Sequence, residues 1–310
     1  MAERVDKSVW RNRFNSISTP WNTTFSIAMI LLAVFTLAPL VLVVIVSFSS
    51  SLSIARNGYT FFPSEFSLDA YKYLLKTGSQ VRDSYLITIF YTVAGTALSL
   101  FVMSMYAFVL SQKRFHAQKF YTYVLFFTML FSGGLVPSYI LNVRYLHMYD
   151  TIWIFLLPSL IGAYNCIILR TFINTTIPDA LFEAARIDGA SNFRVYLQIV
   201  LPLFKAGLAT IGLFQVVSRW NNWFTGLLYI ENPKLIPLQT MLQSIQRNID
   251  FIKQNSDLMG SQEGQEMLQS MPTESMQMAI LVVSILPILF AYPFFQRYFV
   301  QGITIGSVKG

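Results

Sequence analysis

Few residues in this 310-residue chain have the types and spacing needed to make or break bonds. The two histidines, His116 and His147, stand in no H-E-x-x-H pair, and no G-x-x-x-x-G-K-[ST] phosphate loop or G-x-S-x-G elbow occurs. Cys166 is the single cysteine, so neither an internal disulfide nor a cysteine-rich metal site can form. The residues that remain have a chemistry of contact. Trp220-Asn221-Asn222-Trp223 pairs indoles, which stack on sugar faces, with amides, which bond hydroxyls in both directions. Arg219 precedes them, and Tyr164-Asn165 repeats the aromatic–amide pairing further back. Glu183-Ala184-Ala185, Gly189, Ile199, Leu201 and Pro202 put one carboxylate among small and apolar residues, a composition suited to docking. The expectation is no catalysis and no cofactor or metal on this chain.

The elements that must position these residues lie in a membrane. The chain is 54% hydrophobic and only 12% charged, with a mean hydropathy of +0.52, against about 25% charged residues in a soluble domain. Apolar runs long enough to cross a bilayer predict six spans, near 25–48, 84–110, 119–141, 151–173, 203–230 and 276–299. The first is too long for a signal-peptide core of about 7–15 apolar residues, so it reads as an anchor. Ser132-Gly133-Gly134 and Pro137 interrupt the third and predict a kink. With the N-terminus inside, inside segments hold 13 Lys and Arg against 5 acids, and outside segments 8 against 10. That asymmetry predicts cytoplasmic termini. It also explains the net charge of +7 as topology, with no nucleic-acid partner implied.

None of the six spans contains Asp or Glu. Proton- and sodium-coupled carriers need ionisable groups at depth, so uphill transport here would draw on a partner. A stand-alone channel or secondary carrier for a small polar solute is the rival reading, since carbonyls can also build sites. Arg219 within the fifth span faces either a water-filled path or snorkels outward. The Trp220–Trp223 run is either a sugar-binding wall or an aromatic belt with amides bonding between helices. Tyr164 and Asn165 either line a path or pack helices.

Between the fourth and fifth spans, Thr175–Phe204 reads as two short helices around a glycine. Pro178 and Asp179 favour a helix start, Gly189 a stop, and Ser191 a second N-cap. Phe193, Tyr196, Leu197, Val200 and Leu201 then predict one apolar stripe. Such a pair either packs on its own bundle or meets a partner.

Glu183-Ala184-Ala185, three residues, Gly189, nine residues, Ile199-x-Leu201-Pro202 matches the E-A-A-x3-G-x9-I-x-L-P signature at seven positions without a gap. In this the chain resembles the permease subunits of binding-protein-dependent ABC importers. TIWIFLLPSL, WNNWFTGLLYI, LIPLQTMLQSI and the ending QRYFVQGITIGSVKG are similar to the carbohydrate branch, within its polysaccharide and lipoprotein-permease group. The resemblance implies an all-α membrane protein with a type I importer fold, located in the bacterial cell membrane. It implies a transport domain over 84–299, with coupling helices in the loop 175–202 and an external loop over 231–275. Around it lie a tail over 1–24, a first helix and external loop over 25–83, and a tail over 300–310. Glu183, Ala184, Ala185, Gly189, Ile199, Leu201 and Pro202 would dock two ATPase subunits, which hold ATP and Mg. A second, similar permease subunit would share the path, and an extracytoplasmic solute-binding protein would meet the external loop, which shows no periodicity before Leu235. The cargo implied is a sugar, an oligosaccharide, carried through membrane lipid.

Overall fold

The computed structural model describes residues 19–77, 79–254 and 274–306. Every regular element among them is helical, apart from one isolated bridge between Ser49 and Phe66. The expected tail over 1–24 lies largely outside the described residues, as do 255–273 of the expected external loop and the last four residues. The chain divides into two compact units, Met1–Tyr71 with Thr273–Val282 and Lys72–Pro272 with Val283–Gly310.

In the first unit, α1 (Thr19–Ser47) is 29 residues long, about 43 Å at 1.5 Å per residue and enough for a hydrocarbon core of about 30 Å. From Phe25 to Phe35 it exposes Ile27, Met29, Ile30, Leu31, Leu32 and Val34 as well, the surface of a helix whose solvent is lipid. α2 (Ser51–Asn57) follows, with Ser50 accepting from the Ser53 amide at 3.1 Å and Gly58 closing it at φ +67. Tyr71 bonds Ser47 at 2.8 Å and stacks on Phe48.

Helix α3 (Asp69–Thr77) leads to α4 (Ser79–Ser111), the axis of the second unit. α4 is 33 residues and unbroken, and it packs chiefly against α8 (Ala163–Thr176) and α12 (Lys205–Trp220). Its buried face carries Ser84, Thr88, Thr92, Gly95, Thr96 and Ser99. Small residues let helix backbones approach where no hydrophobic drive separates protein from lipid. One apolar cluster gathers Met103, Leu110, Leu169, Ile173, Tyr196 and Ile211, and a second gathers Tyr91, Phe155 and Tyr229.

Among the described residues, three helices are long and apolar enough to cross a membrane alone: Trp21–Ser47, Ser79–Ser111 and Glu274–Ala291. The last belongs to α15 (Glu274–Gly306), which contains Pro287 and Pro293. Two further segments meet the requirement only as bent pairs. The kink expected in the third span is a break: α5 (Gln118–Leu130) and α6 (Leu135–Ile140, continued by a π turn to Tyr145) meet at 114°, with Gly134 at φ +85. α10 (Asn192–Val195), with its π turn Tyr196–Val200 and α11 (Leu201–Leu203), meets α12 at 80°.

The fourth expected span, 151–173, is not one helix. It divides into α7 (Trp153–Leu156) and the 14-residue α8. Pro158 between them has no N–H to give a helix, and Gly162 takes an extended conformation at the start of α8. The fifth, 203–230, divides likewise. α12 ends at Trp220, and Asn222, just before α13 (Phe224–Tyr229), accepts from the Thr225 amide in its first turn at 3.2 Å. The segment 231–275, expected as an external loop, also differs from expectation, since 17 of its residues form α14 (Leu238–Gln254). Leu238, Met241, Leu242 and Ile245 hold helical spacing there, and Leu238 and Met241 are buried.

Candidate functional site

The loop expected to meet a partner is built from the ends of α8 and α12. α9 (Asp179–Ile187) starts after Pro178, which is extended at ψ 140. Phe182 and Ala185 turn into the first apolar cluster, and Phe182 lies 6.4 Å from the Phe108 ring. Glu183, Ala184, Ile187, Asp188 and Gly189 are exposed, so α9 has one face held by the bundle and one free. Lys113 pairs with Asp179 at its start. The hydrogen bond to Asp179 and then its charge hold the Lys113 ammonium above its usual value. With exposures of 80% and 61% that pair is solvent-screened, so apolar contact is what anchors the helix.

The end of α9 explains the glycine in the motif. The Ala190 amide donates to the Ala185 carbonyl at 2.9 Å and the Gly189 amide to Arg186 at 3.0 Å. These are the two bonds of a Schellman stop, with Gly189 at φ +73 in its left-handed position. Ser191 then caps α10, accepting from the Arg194 amide at 3.3 Å. The apolar stripe expected beyond it is only partly buried. Tyr196 and Val200 go inside together with Val195, while Phe193 and Leu197 stay exposed. The π turn over Tyr196–Val200 is the reason: its wider winding brings residues five apart, Val195 and Val200, onto one face. The Tyr196 hydroxyl fixes this phase through Ser104 at 2.7 Å.

The seven docking candidates therefore divide. Glu183, Ala184, Gly189 and Pro202 are exposed, whereas Ile199 and Leu201 are half-buried against the apolar cluster. Ala185 is a correction. At 6% exposed it is a core contact, kept small by the packing behind α9. Ile187, 87% exposed, is a docking candidate that the motif omits. An apolar residue between Arg186 and Asp188, flanked by a glycine stop, was the available signal.

The second group of candidates does not share one surface. Arg219 is 4% exposed, which replaces both the water-filled path and the outward snorkel expected for it. Its Nη1 donates to the Phe155 carbonyl at 2.7 Å, and Nη2 donates to Ser99 Oγ at 2.5 Å and the Ser159 carbonyl at 3.1 Å. Its own carbonyl accepts from the Tyr91 hydroxyl at 2.9 Å. Breaking the helix between α7 and α8 frees carbonyls that cannot be left bare in a membrane, and Arg219 satisfies two of them. Gly95 makes the room, because a Cβ there would stand 2.7 Å from Nη1.

Trp220 is also buried, its Nε1 donating to the Ser284 carbonyl at 3.0 Å and its ring edge-on to Tyr85. It packs helices and lines no open path within this chain. Asn222 is half-buried by its capping bonds. Tyr164, Asn221 and Trp223 are exposed, and Asn165 is half-buried.

A latch missed in the sequence ties the turn before α7 to the residues after α13. Asp150 Oδ1 accepts from the Glu231 and Asn232 amides at 3.0 and 2.8 Å, and the Asp150 amide donates to the Tyr229 carbonyl at 2.9 Å. Asp150 does this at φ +54, a conformation that Asp tolerates better than most residues. Tyr149 donates to Glu231 at 2.6 Å, and that bond pushes its hydroxyl up to about 12.

Residues 80–305 match the family described as a binding-protein-dependent transport system inner membrane component. The chain is 35% identical over 282 residues, 91% of its length and 96% of the relative's, to the polygalacturonan/rhamnogalacturonan transport system permease protein YtcP of Bacillus subtilis (strain 168). It is 37% identical over 275 residues, 89% of its length and 90% of the relative's, to Protein LplC of the same organism. Its fold superposes with a TM-score of 0.77 and 31% identity on a chain in the crystal structure of a bacterial ABC transporter involved in the import of the acidic polysaccharide alginate, covering 92% of this chain and 99% of that one.

Proposed function

This chain belongs to the family of binding-protein-dependent transport system inner membrane components, and from that premise we propose that it is the permease subunit of an ABC importer for an oligosaccharide, driven through α9. A second permease would complete the path, two ATPase subunits would carry ATP and Mg, and an extracytoplasmic binding protein would deliver the sugar. Six crossings result if α5 with α6, α7 with α8, and α12 with α13 each cross once beside α1, α4 and α15. Both termini and the loop 175–202 are then cytoplasmic, and α14 lies outside within 231–275. The transport domain is 84–299, preceded by the tail 1–24 and the segment 25–83 and followed by the tail 300–310.

The observation that carries this reading is the division of α9 into two faces. Phe182 and Ala185 bind it to the bundle, while Glu183, Ala184, Ile187 and Gly189 remain available. A partner pressing on the free face moves the helix as a rigid body, and the packing of Phe182 on Phe108 of α4 passes that motion on. Glu183 offers a carboxylate, Ala184 close approach, and Ile187 an apolar anchor. Tyr164, Asn165, Asn221, Asn222 and Trp223 are the path candidates, and Arg219 and Trp220 hold the helices behind them.

Glu183→Lys and Gly189→Asp, assayed in the assembled importer, are expected to abolish ATP-driven uptake while the protein stays inserted. Normal uptake in both would remove the docking role. One relative is named for polygalacturonan and rhamnogalacturonan transport, and the structural neighbour belongs to an importer of an acidic polysaccharide, so a uronate-containing oligosaccharide is the first substrate to test. Stimulation of the ATPase by that sugar over a neutral one of equal length supports the assignment. Equal stimulation or none rejects the acidic class.

A further inference from the structure

The turn from α4 into α5, residues 112–117, is bordered by two cavities of opposite character. One, of about 360 Å³, is apolar and is walled by Val102, Met105, Val109, Phe115 and Tyr121. The other, of about 500 Å³, is polar and lies among the ends of α4 and α8 and the starts of α5 and α9. Arg170, Asn174, Lys113, Gln118 and Asp179 line it.

Arg170 is the unexplained group. It makes no ion pair among the described residues, and its one hydrogen bond is a long one, Nη1 to Thr122 Oγ1 at 3.4 Å. Its Nε is buried with no acceptor at all. A buried guanidinium N–H without an acceptor is costly, and the fork of this half-buried side chain suits two oxygens of one phosphate. Asn174 lines the same cavity and its side chain bonds nothing among the described residues, so its amide is available. Asp179, the one acid in the lining, is already engaged by Lys113, so the charges present sum to one excess positive. That favours an anionic headgroup over a zwitterionic one, whose ammonium would find no free acid. The turn closes α4, a helix long enough to span the bilayer, and a crossing by α4 would put the cavity near the depth of phospholipid phosphates.

We propose that this turn is a binding site for an anionic phospholipid, with the phosphate on Arg170 and an acyl chain in the apolar cavity beside Val102 and Tyr121. Pro178, Asp179 and Phe182 line the polar cavity, so an occupied site braces the root of α9. The site itself does not depend on the docking role given to that helix.

The test uses the purified importer complex containing this chain, stripped of lipid and supplied in turn with phosphatidylglycerol, phosphatidylcholine and inorganic phosphate. Native mass spectrometry reads the lipid retained and thermal unfolding reads the shift. Phosphatidylglycerol alone is expected to be retained and to raise Tm. Arg170→Gln is expected to weaken its retention about tenfold, the effect of one lost charge-assisted contact. Val102→Trp fills the apolar cavity without touching the guanidinium, and it is expected to weaken lipid retention as well. Asn174→Leu serves as the second headgroup variant if Arg170→Gln does not assemble. Equal retention of both lipids, retention unchanged in these variants, or a full Tm shift from inorganic phosphate alone would each overturn the proposal.

Discussion

The α9 loop and the Arg219 node place charge in opposite ways. Glu183 sits in the open on a short helix whose other face is sealed by Phe182 and Ala185. Arg219 is enclosed, and its guanidinium ends on two carbonyls and a hydroxyl with no ion pair among the described residues. The first arrangement leaves a charge for another molecule to use. The second spends a charge on holding a broken helix together. Reading charge in a membrane protein therefore requires its partners, because depth in the sequence of spans does not tell an exposed functional group from an internal fastener.

That contrast is sharpest in the response to truncation. Arg219→Ala removes the charged donor from the Phe155 and Ser159 carbonyls, leaving them only the longer bonds from the Ser159 and Ser99 hydroxyls at 3.4 and 3.2 Å, and opens a cavity against Gly95. The expected loss is about 3 kcal/mol or more, seen as loss of folded protein by size exclusion in detergent. Arg219→Lys keeps a donor in reach and should lose less. Gly95→Ala acts on the same node from the other side and should cost about 1–3 kcal/mol by overpacking. Comparable yield of all three variants would mean that the node does not hold the break.

Adjacent alanines on α9 give a second and smaller contrast. Ala185→Leu pushes bulk into the cluster with Val195 and Tyr196 and should lower stability by about 1–3 kcal/mol. Ala184→Leu adds the same bulk to the exposed face. It should leave Tm unchanged while reducing ATP-driven uptake. If both alter Tm equally, α9 does not have the two faces described.

The sequence made the loop legible because its signals are local. Pro178 starts α9, Gly189 stops it, and Ser191 starts α10 within the same turn of chain. The unbroken spans were legible from apolar length alone, as in α1 and α4. What escaped depends on contacts far apart in sequence. The region 151–173 is mostly apolar, and nothing local says that Arg219, 64 residues beyond Phe155, will donate to its freed carbonyls. Asp150 reaches across 81 and 82 residues to the Glu231 and Asn232 amides in the same way. α14 was missed for another reason. Its apolar positions keep helical spacing, but Gln, Ser and Arg between them made the segment read as a polar loop. The buried side of α10 was mis-phased because a π turn changes the period, and periodicity arguments assume a constant one.

The smallest effect concerns that same start of α10. Ser191 Oγ accepts from the Arg194 amide at 3.3 Å, a long bond on an exposed residue. Caps of this kind are worth about 0.5–2 kcal/mol, and the length and exposure of this one put Ser191→Ala near 0.5. Ser191→Gly should cost only a few tenths, since glycine also suits the cap position. The two variants separate capping from docking. Capping alone predicts a lower Tm in the order Ala, Gly, wild type, with uptake per folded molecule unchanged. A loss of uptake that follows the missing hydroxyl equally in both variants, with no order in Tm, would move Ser191 out of the helix start and into the contact surface alongside Gly189.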